Sequence, residues 1–144
     1  MHGAGESMSI HYIRERPAHQ EIFDLLVQSG LFANVTATLT PSIVGHAFDG
    51  SNLVTSARSQ DGRLLGLCRA LTDFSRHCFV ATLAVHPSAK QQGIGKALLH
   101  FTHSQAGDPS KIVVFLHSSP DAVGFYEHIG LVREANCFSI NNVS

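Results

Sequence analysis

Lys90 and Lys96, two of the chain's three lysines, flank Gly93 and Gly95. No Asp or Glu occurs from residue 74 through residue 107, although Arg76 and both of those lysines lie there. A basic stretch without carboxylates suits an anionic ligand, which a carboxylate would repel. The competing reading is a chance cluster on a solvated face. The segment from Leu83 to Leu99 reads as strand, loop, Gly-x-Gly and helix. Glycines let a backbone approach a ligand closely. The first amides of a helix lack internal partners, and with the helix dipole they make a phosphate site. A nucleotide P-loop needs Gly at position 90 and Ser or Thr at 97, where Lys90 and Ala97 stand. A dinucleotide fingerprint needs a third Gly at Leu98 and an acid some 20 residues on, and residues 112 to 117 hold none. His100 and His103 have helical spacing, but without a third ligand nearby they read as surface histidines, and no metal is expected.

The elements that would position this loop follow from pattern. Ser9 to Arg14 reads as a first strand. Pro17 opens a helical pattern carrying Ile22, Phe23, Leu25 and Leu26, and Gly30 closes it. Residues 31 to 50 suggest a short irregular helix interrupted by Pro41. Leu53 to Ala57 and Leu64 to Leu71 are strands joined by the turn signal Gln60-Asp61-Gly62. Phe79 to Val85 completes the meander after a polar turn at Asp73 to His77. The helix from Gly93 stops at Gly107-Asp108-Pro109. Lys111 to His117 is dense in apolar residues, as in a strand buried on both faces. Ser119-Pro120-Asp121 starts a last helix that ends near Gly130, and Leu131 to Ile140 reads as a closing strand or hairpin. The expected fold class is a mixed α/β architecture: a mostly antiparallel central sheet with helices on both faces.

The bulk numbers exclude several classes. The chain has 144 residues, 44% hydrophobic and 15% charged, which fits one folded domain over residues 9 to 144. Residues 1 to 8 read as a disordered leader without signal-peptide character. Ten Lys and Arg against eleven Asp and Glu argue against nucleic acid as a partner. The longest apolar run, Ile112 to Leu116, is far too short for a membrane span. Cys68, Cys78 and Cys137 give an odd count without a Cys-x-x-Cys pair. They read as reduced, buried apolar fillers in a cytoplasmic protein.

Two motifs carry a resemblance. Leu83-Ala84-Val85-His86-Pro87, followed by Lys90-Gln91-Gln92-Gly93-Ile94-Gly95, resembles the strand and Gln/Arg-x-x-Gly-x-Gly/Ala loop of the GNAT superfamily of acetyl-CoA-dependent N-acetyltransferases. Lys90 replaces the usual Gln or Arg. About 30 residues on, Ser119, Ala122, Phe125, Tyr126, Gly130 and Leu131 resemble the family's Asn-x-x-Ala-x-x-Phe-Tyr-x-x-x-Gly-Phe, with Ser119 for Asn and Leu131 for Phe. The resemblance covers residues 52 to 140 well and residues 9 to 50 in outline.

That resemblance implies acetyl-CoA as co-substrate and a primary amine, expected to belong to a small molecule, as acceptor. It implies a binding set of Leu83, Ala84, Val85, Lys90, Gln91, Gln92, Gly93, Ile94, Gly95, Lys96, Ala97, Ser119, Phe125 and Tyr126. The backbones of Leu83 and Val85 would meet pantetheine. Tyr126 matches the family tyrosine that protonates the departing thiolate. Only about one lysine-like amine in 2,500 is neutral at pH 7, so deprotonation accounts for about 4 to 5 kcal/mol of barrier. The strand from Phe79 to Val85 lacks the carboxylate many relatives carry, and Thr82 occupies one such position. Asp73, His77, His86, His117 and Glu127 are the remaining candidates for a base, and a water chain is an equal one. A catalytically idle acyl-CoA-binding module is the alternative. Homodimers paired through sheet edges or closing strands are a family habit, and the segment from Leu131 onward would be the one to do this.

Overall fold

The computed structural model describes residues 9–32 and 39–141. Five strands form one sheet in the order β1 (Ile10–Arg14), β2 (Leu53–Ser59), β3 (Leu64–Thr72), β4 (His77–Val85), β5 (Val113–Leu116). The first four pair antiparallel, and β4 pairs β5 in parallel. Helices cover both faces. On one, α1 (His19–Gln28) and α2 (Pro41–Asp49) bury Ile22, Leu25, Leu26 and Phe48 against Val54, Leu64, Leu67 and Ala84. On the other, α3 (Ile94–Ala106) buries Ile94, Leu98 and Leu99 against Leu53, Ala57, Cys68, Ala70, Cys78 and Val80. The period-two alternation of β2 to β4 feeds these two cores, as a sheet covered on both sides requires. No helix among the described residues is long and apolar enough to cross a membrane.

The meander and its turn fall where the pattern places them, with Gly62 at φ +90°. Several expectations are corrected. The first helix begins at His19, because Ala18 stays extended ahead of it. Pro41 starts α2 instead of interrupting it: it sits at the first helical position, where its missing N–H costs nothing, and Thr40 Oγ1 accepts from the Ile43 N–H at 3.2 Å. Residues 33 to 38 of that stretch, and the leader 1 to 8, lie outside the described residues.

β5 is shorter than expected and is not buried on both faces. Val113 and Phe115 are 59% and 46% exposed because β5 is the edge of the sheet. The strand expected from Leu131 to Ile140 does not form. Its centre turns at Ala135-Asn136, and Val132, Phe138 and Ile140 stay exposed with no sheet face to bury them. Cys137 lies in this segment and is exposed, so it is no core filler; Cys68 and Cys78 are buried free thiols. The last helix begins as a 3-10 turn, Pro120–Ala122, and only Val123–His128 is α-helical, here named α4.

Candidate active site

β4 sets the geometry. Its pairing with β5 runs only from His77↔Val113 to Val80↔Leu116, so residues 81 to 85 have β3 on one side and no strand on the other. The His86 N–H donates to the Leu65 carbonyl at 2.7 Å, on the β3 side. Backbone groups alternate along a strand, so those of Leu83 and Val85 face the open side. The two residues singled out for pantetheine therefore present an unpaired strand edge. Ala84 buries its methyl under α1 and α2. Beside the open stretch, β4 carries a bulge: Arg69 pairs with Thr82 and Ala70 with Val80, leaving Ala81 as the extra residue.

The edge runs into the glycine loop. Pro87–Ala89 makes a 3-10 turn capped by the His86 ring, whose Nδ1 accepts from the Ser88 N–H at 3.1 Å. Gln91 (φ +68°) and Gly93 (φ +76°) then take left-handed conformations, which turn the chain into α3. Such a turn directs successive N–H groups to one concave side. No side chain caps α3, and the Ala97 N–H donates to the Gly93 carbonyl at 3.0 Å, so the amides of Ile94, Gly95 and Lys96 precede the helical ladder. The Ile94 side chain is 2% exposed and anchors this end in the core. Lys90, Gln91, Gln92 and Lys96 are exposed, and Ala97 is half-buried. The result is a rigid amide cluster at the positive end of a 13-residue helix.

α4 closes the other side of the slot. An ideal Cβ at Gly95 would lie 3.0 Å from Cζ of Phe125 and 3.7 Å from Cγ2 of Val85. The absent side chain at Gly95 is what lets Phe125 rest against the start of α3. Tyr126 follows, half-buried, its ring 5.1 Å from that of Phe125 and edge-on to it. Burial raises the Tyr126 hydroxyl above its ordinary pKa of 10, with a smaller contribution from Cys68. The group is thus a phenol at neutral pH, the form that donates a proton. Cys68 is pushed up to about 12 by burial, which leaves it a neutral thiol and a poor nucleophile. Ser119 is exposed at the start of the 3-10 turn, and its side chain caps nothing.

The candidate bases are scattered. Asp73 and His77 sit at the opposite end of β4, where Asp73 Oδ1 accepts from the N–H groups of Ser75, Arg76 and His77. Those bonds hold Asp73 near pKa 2. Burial and then Arg63 lower the pKa of His86, keeping it neutral at pH 7, and its Nδ1 also meets the Ser88 hydroxyl at 2.8 Å. His117 and Glu127 are exposed, and His103 Nε2 bonds the Ile112 carbonyl at 2.7 Å.

Sequence reasoning missed Arg69. It is the only charged residue of β3, and that isolation in an apolar strand was the available signal. Its side chain lies on the α1–α2 face, where Nε donates to Thr82 Oγ1 at 3.3 Å and Nη1 to Ser51 Oγ at 3.2 Å. Leu71, two residues on along the same face of β3, lines a shallow cavity of about 310 Å³ with Phe79, Phe115, His77, Asp73 and Asn52.

Comparisons with known proteins bear on the fold and the family. The model of a family described as the acetyltransferase (GNAT) domain matches residues 27–144. An uncharacterised N-acetyltransferase of Pyropia yezoensis is 24% identical over 91 residues, 61% of this chain and 52% of that protein. Another, of Gracilaria tenuistipitata var. liui, is 30% identical over 71 residues, 49% of this chain and 39% of that protein. The chain spans about half the length, or less, of these curated relatives. Among solved structures, a GNAT family acetyltransferase from Streptococcus pneumoniae superposes with a TM-score of 0.69 at 20% identity, covering 94% of this chain and 98% of that one. An aminoglycoside acetyltransferase from an uncultured soil sample, solved in complex with trehalose, gives a TM-score of 0.68 at 16% identity, covering 94% and 96%.

Proposed function

This chain belongs to the GNAT acetyltransferase domain family, and from that premise we propose that it moves the acetyl group of acetyl-CoA directly to a primary amine held beside it. The observation that carries this is the continuity of three features: the open edge of Leu83 and Val85, the amide cluster at the start of α3, and Tyr126 across the slot. The diphosphate of coenzyme A suits the amides of Gln91 to Lys96 and the positive charge of Lys90 and Lys96. Pantetheine suits the free edge of β4, adding to the sheet as an extended strand would. This brings the thioester to the point where β4 and β5 part.

There the amine attacks the thioester carbonyl, and a backbone amide of the β4 edge meets the oxyanion. The Tyr126 hydroxyl, kept protonated by burial, donates to the leaving sulfur. The inert state of Cys68 supports direct transfer over a cysteine-bound acetyl carrier. The free thiols support a reducing compartment, taken to be the cytoplasm. The exposed edge strand β5 supports pairing as a homodimer.

A second function, an acyl-CoA-binding module without turnover, is favoured by one observation: Thr82 stands where a carboxylate base is common and bonds an arginine. Two measurements decide. Isothermal titration should give saturable binding of coenzyme A, and a thiol-release assay should show acetyl-CoA consumed with an amine from a panel. Binding without release on any amine favours the module; no binding by the folded chain overturns both.

A further inference from the structure

We infer that Arg69 reads a carboxylate on the acceptor, so that the substrate is an α-amino acid with an apolar side chain; this rests on the acetyl-transfer function proposed above. The inference starts from a charge that has no carboxylate partner among the described residues. Arg69 is half-buried between β3, α2 and β4, its guanidinium carbon 5.5 Å from the centre of the Phe48 ring. Its protein partners are two hydroxyls, Ser51 and Thr82, and no carboxylate lies within ion-pair distance among the described residues. Burial lowers its pKa, and nothing offsets that.

Other arginines have evident structural work. Arg58 pairs with Glu15 and Glu21 at 2.6 Å, and Arg16 donates to the Phe48 and Ser51 carbonyls at the end of α2. Bridging Ser51 to Thr82 needs no charge, whereas burying an unpaired cation is costly. A guanidinium has five N–H donors in a fork that fits a carboxylate with two parallel bonds. Two of those donors are used here.

Position completes the case. Thr82, Arg69's neighbour, adjoins the Ala81 bulge, where β4 loses β5 and the thioester would lie. Leu71, Phe79 and Phe115 share Arg69's face of the sheet and floor the cavity of about 310 Å³. That volume is at the small end of ligand pockets, and Arg69 shares its face of the sheet without lining it. Asp73 borders the same cavity, but one oxygen is taken by three backbone N–H groups and the other lies 3.8 Å from His77 Nδ1. A carboxylate on Arg69 leaves the side chain on the apolar floor and the amine at the parting of the strands.

A guanidinium near an ammonium also lowers the ammonium's pKa and favours the neutral nucleophile. The arginine thereby eases deprotonation in a strand that has no carboxylate base. In the reaction the ammonium loses one proton to solvent, and the nitrogen bonds the acetyl carbon. The C–S bond breaks, the second amine proton is lost as the amide forms, and the sulfur is protonated. The products are an N-acetyl amino acid, coenzyme A and one net proton.

The test compares L-phenylalanine, L-phenylalaninamide and phenethylamine by thiol release, with wild type, Arg69→Gln and Arg69→Lys. Phenylalanine should exceed both analogues, which lack the carboxylate, in kcat/KM by about 10-fold or more. Arg69→Gln should erase that ratio through KM, and Arg69→Lys should retain part of it, which also covers a glutamine variant that fails to fold. Equal use of the three acceptors by wild type, or a ratio that survives Arg69→Gln, overturns the inference. If no acceptor releases thiol, phenylalanine is titrated into the coenzyme A complex. Saturable heat lost in Arg69→Gln supports the carboxylate site, and absence of heat overturns it. A parallel coenzyme A titration of wild type separates this failure from failure of the acetyl-transfer function.

Discussion

α3 sinks Ile94, Gly95, Leu98, Leu99, Thr102 and Ala106 into the core, while α4, across the same slot, buries no residue fully and leans on α3 through Phe125 and Gly95. The loop that would hold the diphosphate is therefore fixed by a helix anchored in the core. The tyrosine that would serve the chemical step rides on a six-residue helix at the thinly packed end. Elements with few buried apolar contacts open at lower cost. Such a division suits a site that must hold one ligand firmly and let another come and go.

Substitutions on the two sides should separate stability, affinity and turnover. The largest effect on folding is expected from Ile94→Ala, which leaves a cavity under the loop: about 3 kcal/mol of unfolding free energy, measured by urea denaturation. Tyr126→Phe should lower kcat about 100-fold while the coenzyme A Kd from titration stays within about 2-fold. An unchanged kcat removes the hydroxyl from the mechanism. Because burial raises the Tyr126 pKa, the acid form persists beyond the ordinary value, and the alkaline limb of kcat should lie above pH 10.

Gly93→Val asks a β-branched residue to hold φ +76°. It should weaken coenzyme A binding about 10-fold through backbone strain, read by the same titration. Phe125→Ala removes a ring that is 39% exposed, so it should destabilise by only about 1 kcal/mol. If it costs as much as Ile94→Ala, the contrast between the two helices is wrong. The smallest effect is expected from Asp73→Ala in the turn before β4. Asp73 is held near pKa 2 against an ordinary 3.8, so its contribution is present above pH 3.8 and is lost as pH falls toward 2. Wild-type and variant Tm values should differ at pH 7 and converge near pH 2.

The dense half of the molecule was the legible half. Leu53 to Val85 declared its meander by alternation and by Gly62, and the loop declared itself by Gly93 and Gly95. Tyr126 stood out only because Phe125 and Gly130 kept a recognisable spacing around it. Where packing is thin, pattern misled. Val113 to Leu116 has the composition of a buried strand and is an edge, and the apolar residues between Leu131 and Ile140 suggested a strand that does not form. Apolar composition states what a segment would bury, not whether the fold supplies a face for it.

The sequence alone determined the order of the elements as far as α4, a glycine loop leading into α3 and a charge pattern that welcomes an anion, because these depend on neighbours along the chain. The tertiary structure decided the rest. It parted β5 from β4 after Val80, brought Phe125 against Gly95, and set Arg69 between Ser51 and Thr82 with no counter-charge among the described residues. Those are contacts between residues 13 to 36 positions apart, and local periodicity carries no information about which distant side chains a fold will bring together.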